Sequence, residues 1–515
     1  PMRLSRMVRC CITTLLLIAS VSAAPVDDWT SRTVIYQLLT DRFALADGHA
    51  DTCDTGNCPY GNYCGGTYGG IIERLDYIQD LGMNAVWISP IPANRPCGYH
   101  GYWAVDWDWT NEHFGDAADL KNLTATLHSH GMHVMVDMVA NHNGPGKVPD
   151  GHPFTEQDHY HPRCTIDFSS QRSIERCWLV DLPDLNTENG FVSDYLADWV
   201  VRQVDEYGFD GIRYDTVPYV PKWHWKRVAD RLAGGGRNGT YTLGEILIGN
   251  RGADYLAGYQ YDAQYGPILD GLLNYPLYFA LVNSFARGQS LWGLSSALQE
   301  TFGTYRRPAA LGNFVDNHDE GRFLQMNPSH ALYMSALAVV MATTGVPIVY
   351  YGSEQGLTQD PDGSRGADNQ KRQPLWRTGY NKSHPLYRFI SRLARLRTQG
   401  LFDGTQRELW VLSNIYLFTR GERVLIVTSN LGDGQSLDIT LPPSNVPDAF
   451  RRDGDITVCD LLLGDGQGRG EGDGCVRVAN VNRDGLHVHI DGGMPQVLMV
   501  VSSTRQARRM PVLAK

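Results

Sequence analysis

The chain has 515 residues, 42% hydrophobic and 20% charged, which describes an ordinary globular protein too long for one core and neither disordered nor membrane-embedded. Its 45 Lys and Arg against 56 Asp and Glu leave a formal net charge of −11. That balance argues against nucleic acid or another polyanion as partner, because phosphate backbones are held by clustered Lys and Arg. A neutral ligand suits it, and 12 Trp and 26 Tyr are available for stacking.

The N-terminus reads as a secretory signal peptide over residues 1–23. Arg3, Arg6 and Arg9 form a basic region, Cys11 to Val21 is an apolar stretch too short to span a membrane, and Val21-Ser22-Ala23 supplies small residues for cleavage. Beyond that segment stand Cys53, Cys58, Cys64, Cys97, Cys164, Cys177, Cys459 and Cys475, an even set that in a secreted chain predicts disulfides rather than metal ligation. Proximity pairs Cys164 with Cys177 and Cys459 with Cys475, and leaves two bridges among the other four. Asn122, Asn238 and Asn381 open glycosylation sequons, in keeping with an extracellular product. The tail from Arg505 to Lys515 lacks the apolar run of a lipid-anchor signal, so the product is expected to be free of the membrane.

From Thr33 to about Leu396, short apolar or β-branched runs alternate with amphipathic stretches, the signature of repeated βα units. The candidate strands are Val34–Leu38, Ala85–Ser89, His133–Asp137, Gly211–Asp215, Tyr241–Glu245, Gly271–Leu273, Leu311–Asp316 and Pro347–Tyr351. Eight parallel strands predict an α/β fold of the (β/α)8 TIM-barrel type, formed by residues 24–141 and 186–403. Residues 142–185 break the rhythm and are expected to form a small domain inserted after strand three. From residue 404 to 503 the pattern shortens to strands and turns (Trp410–Phe418, Val424–Ser429, Leu437–Leu441, Gln496–Val501). A C-terminal antiparallel β-sandwich is expected there, followed by a tail over residues 504–515. Gly464 to Gly474 alternates glycine with polar residues and reads as a loop closed by Cys459 and Cys475.

Barrel enzymes carry their chemistry at the C-terminal ends of the strands. Reading off those ends gives Asp137, Asp215, Glu245 and, just past Asp316, Asp319. One strand-end acid is unremarkable as a helix cap. Four converging at one mouth fit acetal cleavage, which needs one carboxylate as nucleophile and one protonated carboxyl as acid, with a third to hold the substrate. No phosphate-binding glycine loop follows the first strand and no His-Glu-x-x-His helix is present, so nucleotide and zinc-hydrolase chemistry lack support.

Around these acids the sequence resembles the α-amylase family of glycoside hydrolases, and within it the secreted fungal members. The resemblance is carried by Asp137-Met-Val-Ala-Asn-His142, Gly211-Ile-Arg-Tyr-Asp215, Gly244-Glu245-Ile-Leu247 and Phe314-Val-Asp-Asn-His-Asp319, in the family's order. Supporting stretches are Tyr99-His-Gly-Tyr-Trp103, Leu182-Pro-Asp-Leu185, Asp270-Gly-Leu-Leu-Asn-Tyr-Pro276 and Gly345-Val-Pro-Ile348. It implies a retaining hydrolase of α-1,4-glucosidic bonds in starch, glycogen and maltooligosaccharides, acting as a monomer. Asp215 would be the nucleophile, Glu245 the acid/base and Asp319 the stabiliser. Arg213 would keep Asp215 ionised; His100, Tyr102, Trp103, His142, His318, Asp368 and Arg372 would line the sugar site, with Asp360 or Asp362 as competitors for the place of Asp368. The resemblance also implies a Ca2+ site from Asn141, Glu175, Asp184 and the backbone carbonyl of Tyr219. Departures fall on the acceptor side, where Pro218 and Tyr219 replace a family Lys-His and Ile248 replaces an acid. Tyr219 is expected to offer a stacking face there. The alternatives are a 4-α-glucanotransferase using the same carboxylates and a catalytically silent carbohydrate-binding relative.

Overall fold

The computed structural model describes residues 25–53, 58, 61–248, 251–358, 370–451, 456–463, 475–478 and 485–501. The expected signal peptide, Asp360, Asp362, Asp368, the Gly464 to Gly474 run and the expected C-terminal tail lie outside the described residues.

Eight parallel strands form the centre: β1 (Ile35–Gln37), β2 (Ala85–Ile88), β3 (His133–Met138), β4 (Gly211–Tyr214), β5 (Tyr241–Gly244), β6 (Gly271–Leu272), β7 (Gly312–Asn313) and β8 (Val346–Tyr350). Their order is β6-β5-β4-β3-β2-β1-β8-β7, and a parallel bridge from Leu273 to Gly312 joins the two edges into a ring. Every predicted barrel strand is present; six are shorter than the run that announced them, while His133–Met138 extends one residue further and Val346–Tyr350 is shifted by one. The strands are buried on both faces, which is why they read as continuous hydrophobic stretches rather than alternating ones. Helices cover the outside, among them Ala117–Ser129, which Asp116 starts by accepting from the Ala118 and Asp119 amides, and Gly190–Tyr207, which ends on left-handed Gly208. Trp29 stops the bottom of the ring, stacked 5.0 Å from both His133 and Tyr241. Gly211 opens β4 beside that indole, where a Cβ would lie 3.0 Å from the Trp29 ring and 3.1 Å from Met135.

Two excursions interrupt the βα rhythm. After β2 the chain forms an antiparallel hairpin, Pro92–Asn94 with Ala104–Thr110, which the sequence did not announce. After β3 comes the irregular segment anticipated at 142–185, closed on itself by antiparallel bridges His142–Asp184 and Tyr160–Leu185 and joined to the chain just after β3 by the Leu185 amide, which donates to the Asn141 carbonyl at 2.8 Å. The disulfides are Cys53–Cys64, Cys58–Cys97 and Cys164–Cys177. The last was expected from proximity, and the first two settle the pairing left open. Cys459 is disulfide-bonded, and its strand ladder sets Cys475 opposite it.

Beyond the barrel, β9 (Gln406–Val411), β10 (Ile415–Arg420), β11 (Val424–Ser429), β13 (Ile456–Asp460), β14 (Cys475–Val478) and β16 (Gln496–Val501) form an antiparallel sheet in the order β9-β10-β11-β16-β13-β14. Strands β12 (Leu437–Leu441) and β15 (Leu486–Ile490) form a separate pair. The run Trp410–Phe418, expected as one strand, is a hairpin turning through Leu412-Ser413-Asn414. Apolar residues continue up to the turn on both sides and no glycine or proline marks it. Alternation divides the sheet's two faces: Tyr416, Phe418, Val424 and Ile426 join the barrel's core, while Ile415, Leu417, Leu425 and Val427 join a second core with Ile439 and Leu441.

Candidate active site

The site is organised by one buried cation. Arg213, the third residue of β4, is fully buried at the centre of the barrel mouth. Its Nη1 donates to Asp137 Oδ1 at 2.9 Å and Asp215 Oδ1 at 2.7 Å, and its Nη2 lies 3.0 Å from Glu245 Oε1. Strand pleating places Arg213 and Asp215 two residues apart on one face, so the pair is intrinsic to β4. Asp137 is thereby occupied: it accepts from Arg213, from the Trp87 indole at 3.2 Å and from the Tyr102 hydroxyl at 2.7 Å. It is the anchor of the guanidinium, leaving Asp215 and Glu245 to face the cleft.

The chain turns immediately after Asp215 through Thr216, a threonine at φ 46°. That left-handed conformation costs on the order of 1–3 kcal/mol for a non-glycine residue. It directs the Thr216 amide to Glu245 Oε2 at 2.9 Å, so the residue following one carboxylate orients the other. Tyr275 Oη stands 3.5 Å from Glu245 Oε1 and is held by Asn317.

Across the mouth, a chain of hydrogen bonds fixes the His318 tautomer. The single Tyr102 hydroxyl proton goes to Asp137, so Tyr102 Oη accepts from His318 Nε2 at 2.9 Å. His318 Nδ1 then accepts from Gln37 Nε2 at 2.5 Å. The same Nε2 lies 3.1 Å from Asp319 Oδ2, and the Tyr102 ring stacks on His318 at 5.5 Å. Arg372 holds Asp319 Oδ1 at 3.3 Å and the His318 carbonyl at 3.0 Å, and Lys371 donates to the Asp319 carbonyl. His100 accepts the Tyr102 amide on Nδ1 and meets Trp103 edge-on at 4.9 Å. His142 Nε2 faces the Tyr102 carbonyl at 3.2 Å.

These environments separate the acids. Burial pushes the Glu245 carboxyl up to about 8; Arg213 opposes this and the charges of Asp215 and Asp319 add to it. Burial also raises Asp215, to about 6, with Arg213 restraining it more closely. For Asp319 burial again pulls upward, but His318, Arg372, Arg213 and Lys371 outweigh it and hold the carboxylate down at about 2. Burial drives His318 down to about 3 and His142 to about 4, and places His100 well below its ordinary value. The three histidines are therefore neutral donors or acceptors suited to sugar hydroxyls, not cations.

On the other side of His142 three oxygens converge. Asn141 Oδ1 lies 2.9 Å from Asp184 Oδ1 and 3.2 Å from the Tyr219 carbonyl. Turning the Asn141 amide over would make it a donor to both. That turn would strand His142, whose neutral ring has one proton and would then face two acceptors, the Asn141 oxygen and the Tyr102 carbonyl. Glu175 stands one step away, accepting at 2.8 Å from Gln171, whose amide also reaches the Pro218 carbonyl at 2.9 Å. A separate group, Asp106, Asp108 and His152, brings ligand atoms within 4.8 Å of one another on the surface near the hairpin.

Sequence motifs thus brought Asp215, Glu245, Asp319, Arg213, His100, Tyr102, Trp103, His142, His318 and Arg372 to one mouth, with Asn141 and Asp184 behind it. Tyr219 contributes its backbone to the oxygen cluster, but its ring is only 7% exposed and Ile248 only 5%, while Leu247 is 38% exposed. Gln37, Trp87 and the Thr216 amide were not foreseen. A polar glutamine in the buried strand β1 was the one visible signal.

A parallel eight-stranded barrel whose mouth holds three carboxylates around a buried arginine defines a glycoside hydrolase of the α-amylase kind. Residues 37–395 match the family model "Alpha amylase, catalytic domain", and the chain belongs to that family. Alpha-amylase 1 of Schwanniomyces occidentalis is 34% identical over 92% of this chain and 90% of that protein. A solved α-amylase structure from Malbranchea cinnamomea superposes with a TM-score of 0.80 at 34% identity, covering 95% of this chain and 99% of that one. A cyclomaltodextrin glucanotransferase, CldA, shares the fold at 24% identity and a TM-score of 0.76, covering 92% of this chain and all of the other.

Proposed function

We propose that this chain is a secreted, retaining α-amylase that cleaves internal α-1,4-glucosidic bonds in starch-like glucans. The observation that carries the mechanism is the sharing of Arg213 by Asp215 and Glu245. Two carboxyl groups on neighbouring nitrogens of one guanidinium are close enough for direct attack at the anomeric carbon. Asp215, kept partly ionised by Arg213, attacks that carbon as Glu245 gives its proton to the leaving oxygen. Glu245 then takes a proton from water, which displaces Asp215 and regenerates the starting anomer. Asp319, the most firmly ionised of the three, holds ring hydroxyls, and His100, His142 and His318 offer neutral hydrogen bonds. The apolar N-terminal segment and the disulfides support the secretory route.

Calcium belongs to this reading. Asn141 Oδ1, Asp184 Oδ1 and the Tyr219 carbonyl present hard oxygen ligands with no donor among them, and the His142 tautomer favours that orientation of the amide. Glu175 is the fourth candidate. When bound, the cation would tie the inserted segment to the end of β3 and to the turn after β4. Its chemistry is that of a structural cross-link.

Digestion of maltoheptaose followed by chromatography tests the assignment. Short maltooligosaccharides should accumulate in dilute substrate, with reducing ends rising in step with bond loss. The buried Ile248 and Tyr219 leave the acceptor side poorer in polar grips, so products longer than heptaose should appear at high substrate concentration. Transfer products dominating even in dilute substrate would make this chain a glucanotransferase instead.

The pH profile follows from the two carboxyls. Attack needs ionised Asp215, so kcat/KM should rise as pH increases through about 6. Protonation of the leaving oxygen needs protonated Glu245, so it should fall as pH increases through about 8. A rate profile that stays flat from pH 5 to 9 would contradict these roles.

A further inference from the structure

The oxygen cluster behind the catalytic mouth is held from outside by His161, whose side chain is 5% exposed. Its Nδ1 meets Asp184 Oδ2 at 2.6 Å and its Nε2 meets Glu188 Oε2 at 2.8 Å. Glu188 is paired in turn with Arg176, beside Glu175 and the Cys164–Cys177 bridge. The backbone repeats the clamp: the His161 amide donates to the Asp184 carbonyl at 3.0 Å, and the His161 carbonyl accepts from the Trp178 indole at 2.8 Å. Asp184 therefore has one oxygen committed to His161 and the other turned toward the Asn141 amide, which also faces the Tyr219 carbonyl. A carboxylate with both oxygens assigned has one usable rotamer.

We infer that His161 is the positioning residue of the calcium site, fixing Asp184 so that Oδ1 faces the cation, with Glu188 and Arg176 holding the imidazole in turn. The inference rests on the calcium reading given above. The physical reason is that a ligating carboxylate free to rotate loses affinity through the ordering that binding then demands, and outer partners of metal ligands typically contribute about 10–100-fold to affinity. The sign is diagnostic. An imidazole proton facing Asp184 competes electrostatically with a cation, so removing His161 would tighten binding if orientation were unimportant. Positioning requires the reverse.

The test is Ca2+ affinity by competition with a fluorescent chelator, alongside thermal melts in calcium and in excess chelator, on the secreted full chain. Wild type should bind Ca2+ and melt lower in chelator. His161→Ala should bind about 10–100-fold more weakly, and the rise in its melting temperature between chelator and calcium should shrink accordingly. His161→Asn, which keeps a donor near the Nδ1 position, should recover most of the loss. Unchanged or tighter binding by His161→Ala overturns the inference. If His161→Ala does not fold, Glu188→Gln carries the test: weaker binding supports positioning, and wild-type affinity overturns it. A wild-type protein that melts identically with and without Ca2+, after metal loss is confirmed by elemental analysis, overturns the calcium reading and the inference with it.

Discussion

Glu245→Gln is expected to lower kcat on maltooligosaccharides by about 10²–10⁴-fold, and Asp215→Asn by at least as much, with both proteins folded. Glutamine keeps the shape that receives the Thr216 amide at 2.9 Å but has no proton to give the leaving oxygen. Asparagine keeps the contact with Arg213 but cannot attack the anomeric carbon. The two variants should differ with the leaving group. A substrate whose aglycone departs without protonation should recover much of its first-step rate in Glu245→Gln and none in Asp215→Asn. Wild-type turnover in either purified variant, or equal recovery in both, would contradict the assignment of roles.

Arg213→Ala should be the most destabilising single change in the barrel mouth. The guanidinium touches Asp137, Asp215 and Glu245, and removing one partner of a buried ion pair costs about 3–5 kcal/mol because the remaining charges are left uncompensated. The pH dependence carries the sign. Without Arg213 the folded-state carboxyl pKa values rise further above their unfolded values, so the folded protein binds more protons than the unfolded one and loses stability as pH increases. The deficit relative to wild type should therefore be small near pH 4, where the acids are protonated, and large near pH 7.5. Thermal melts at both values measure it, and an equal deficit at each would mean that the charges are not the source.

Much of this was legible in the sequence because the barrel's chemistry sits at strand ends. Asp215, Glu245 and Asp319 follow runs such as Gly211-Ile-Arg-Tyr whose apolar character predicts the strand, and the strand then places the acid. The inserted segment was visible as a gap in the βα rhythm. What escaped was relational. Nothing in the string says that Gln37 meets His318, 281 positions away, that Trp87 meets Asp137, 50 positions away, or that Arg213 is shared three ways, since these contacts are made by the closing of the barrel rather than by sequence neighbours. The Thr216 amide was invisible because its role comes from backbone conformation rather than residue type. In the C-terminal sheet, Trp410–Phe418 misled because apolar residues run up to the turn on both sides and neither glycine nor proline marks it.

The central claim is a covalent, retaining cleavage by Asp215 with Glu245 as acid/base. Proton NMR of maltoheptaose digestion in its first minutes, before mutarotation equalises the anomers, tests it most directly. The account predicts that the newly formed reducing ends appear as the α-anomer and drift later toward the equilibrium mixture. Initial release of the β-anomer would mean that water attacks the substrate directly, and would contradict the nucleophilic role of Asp215.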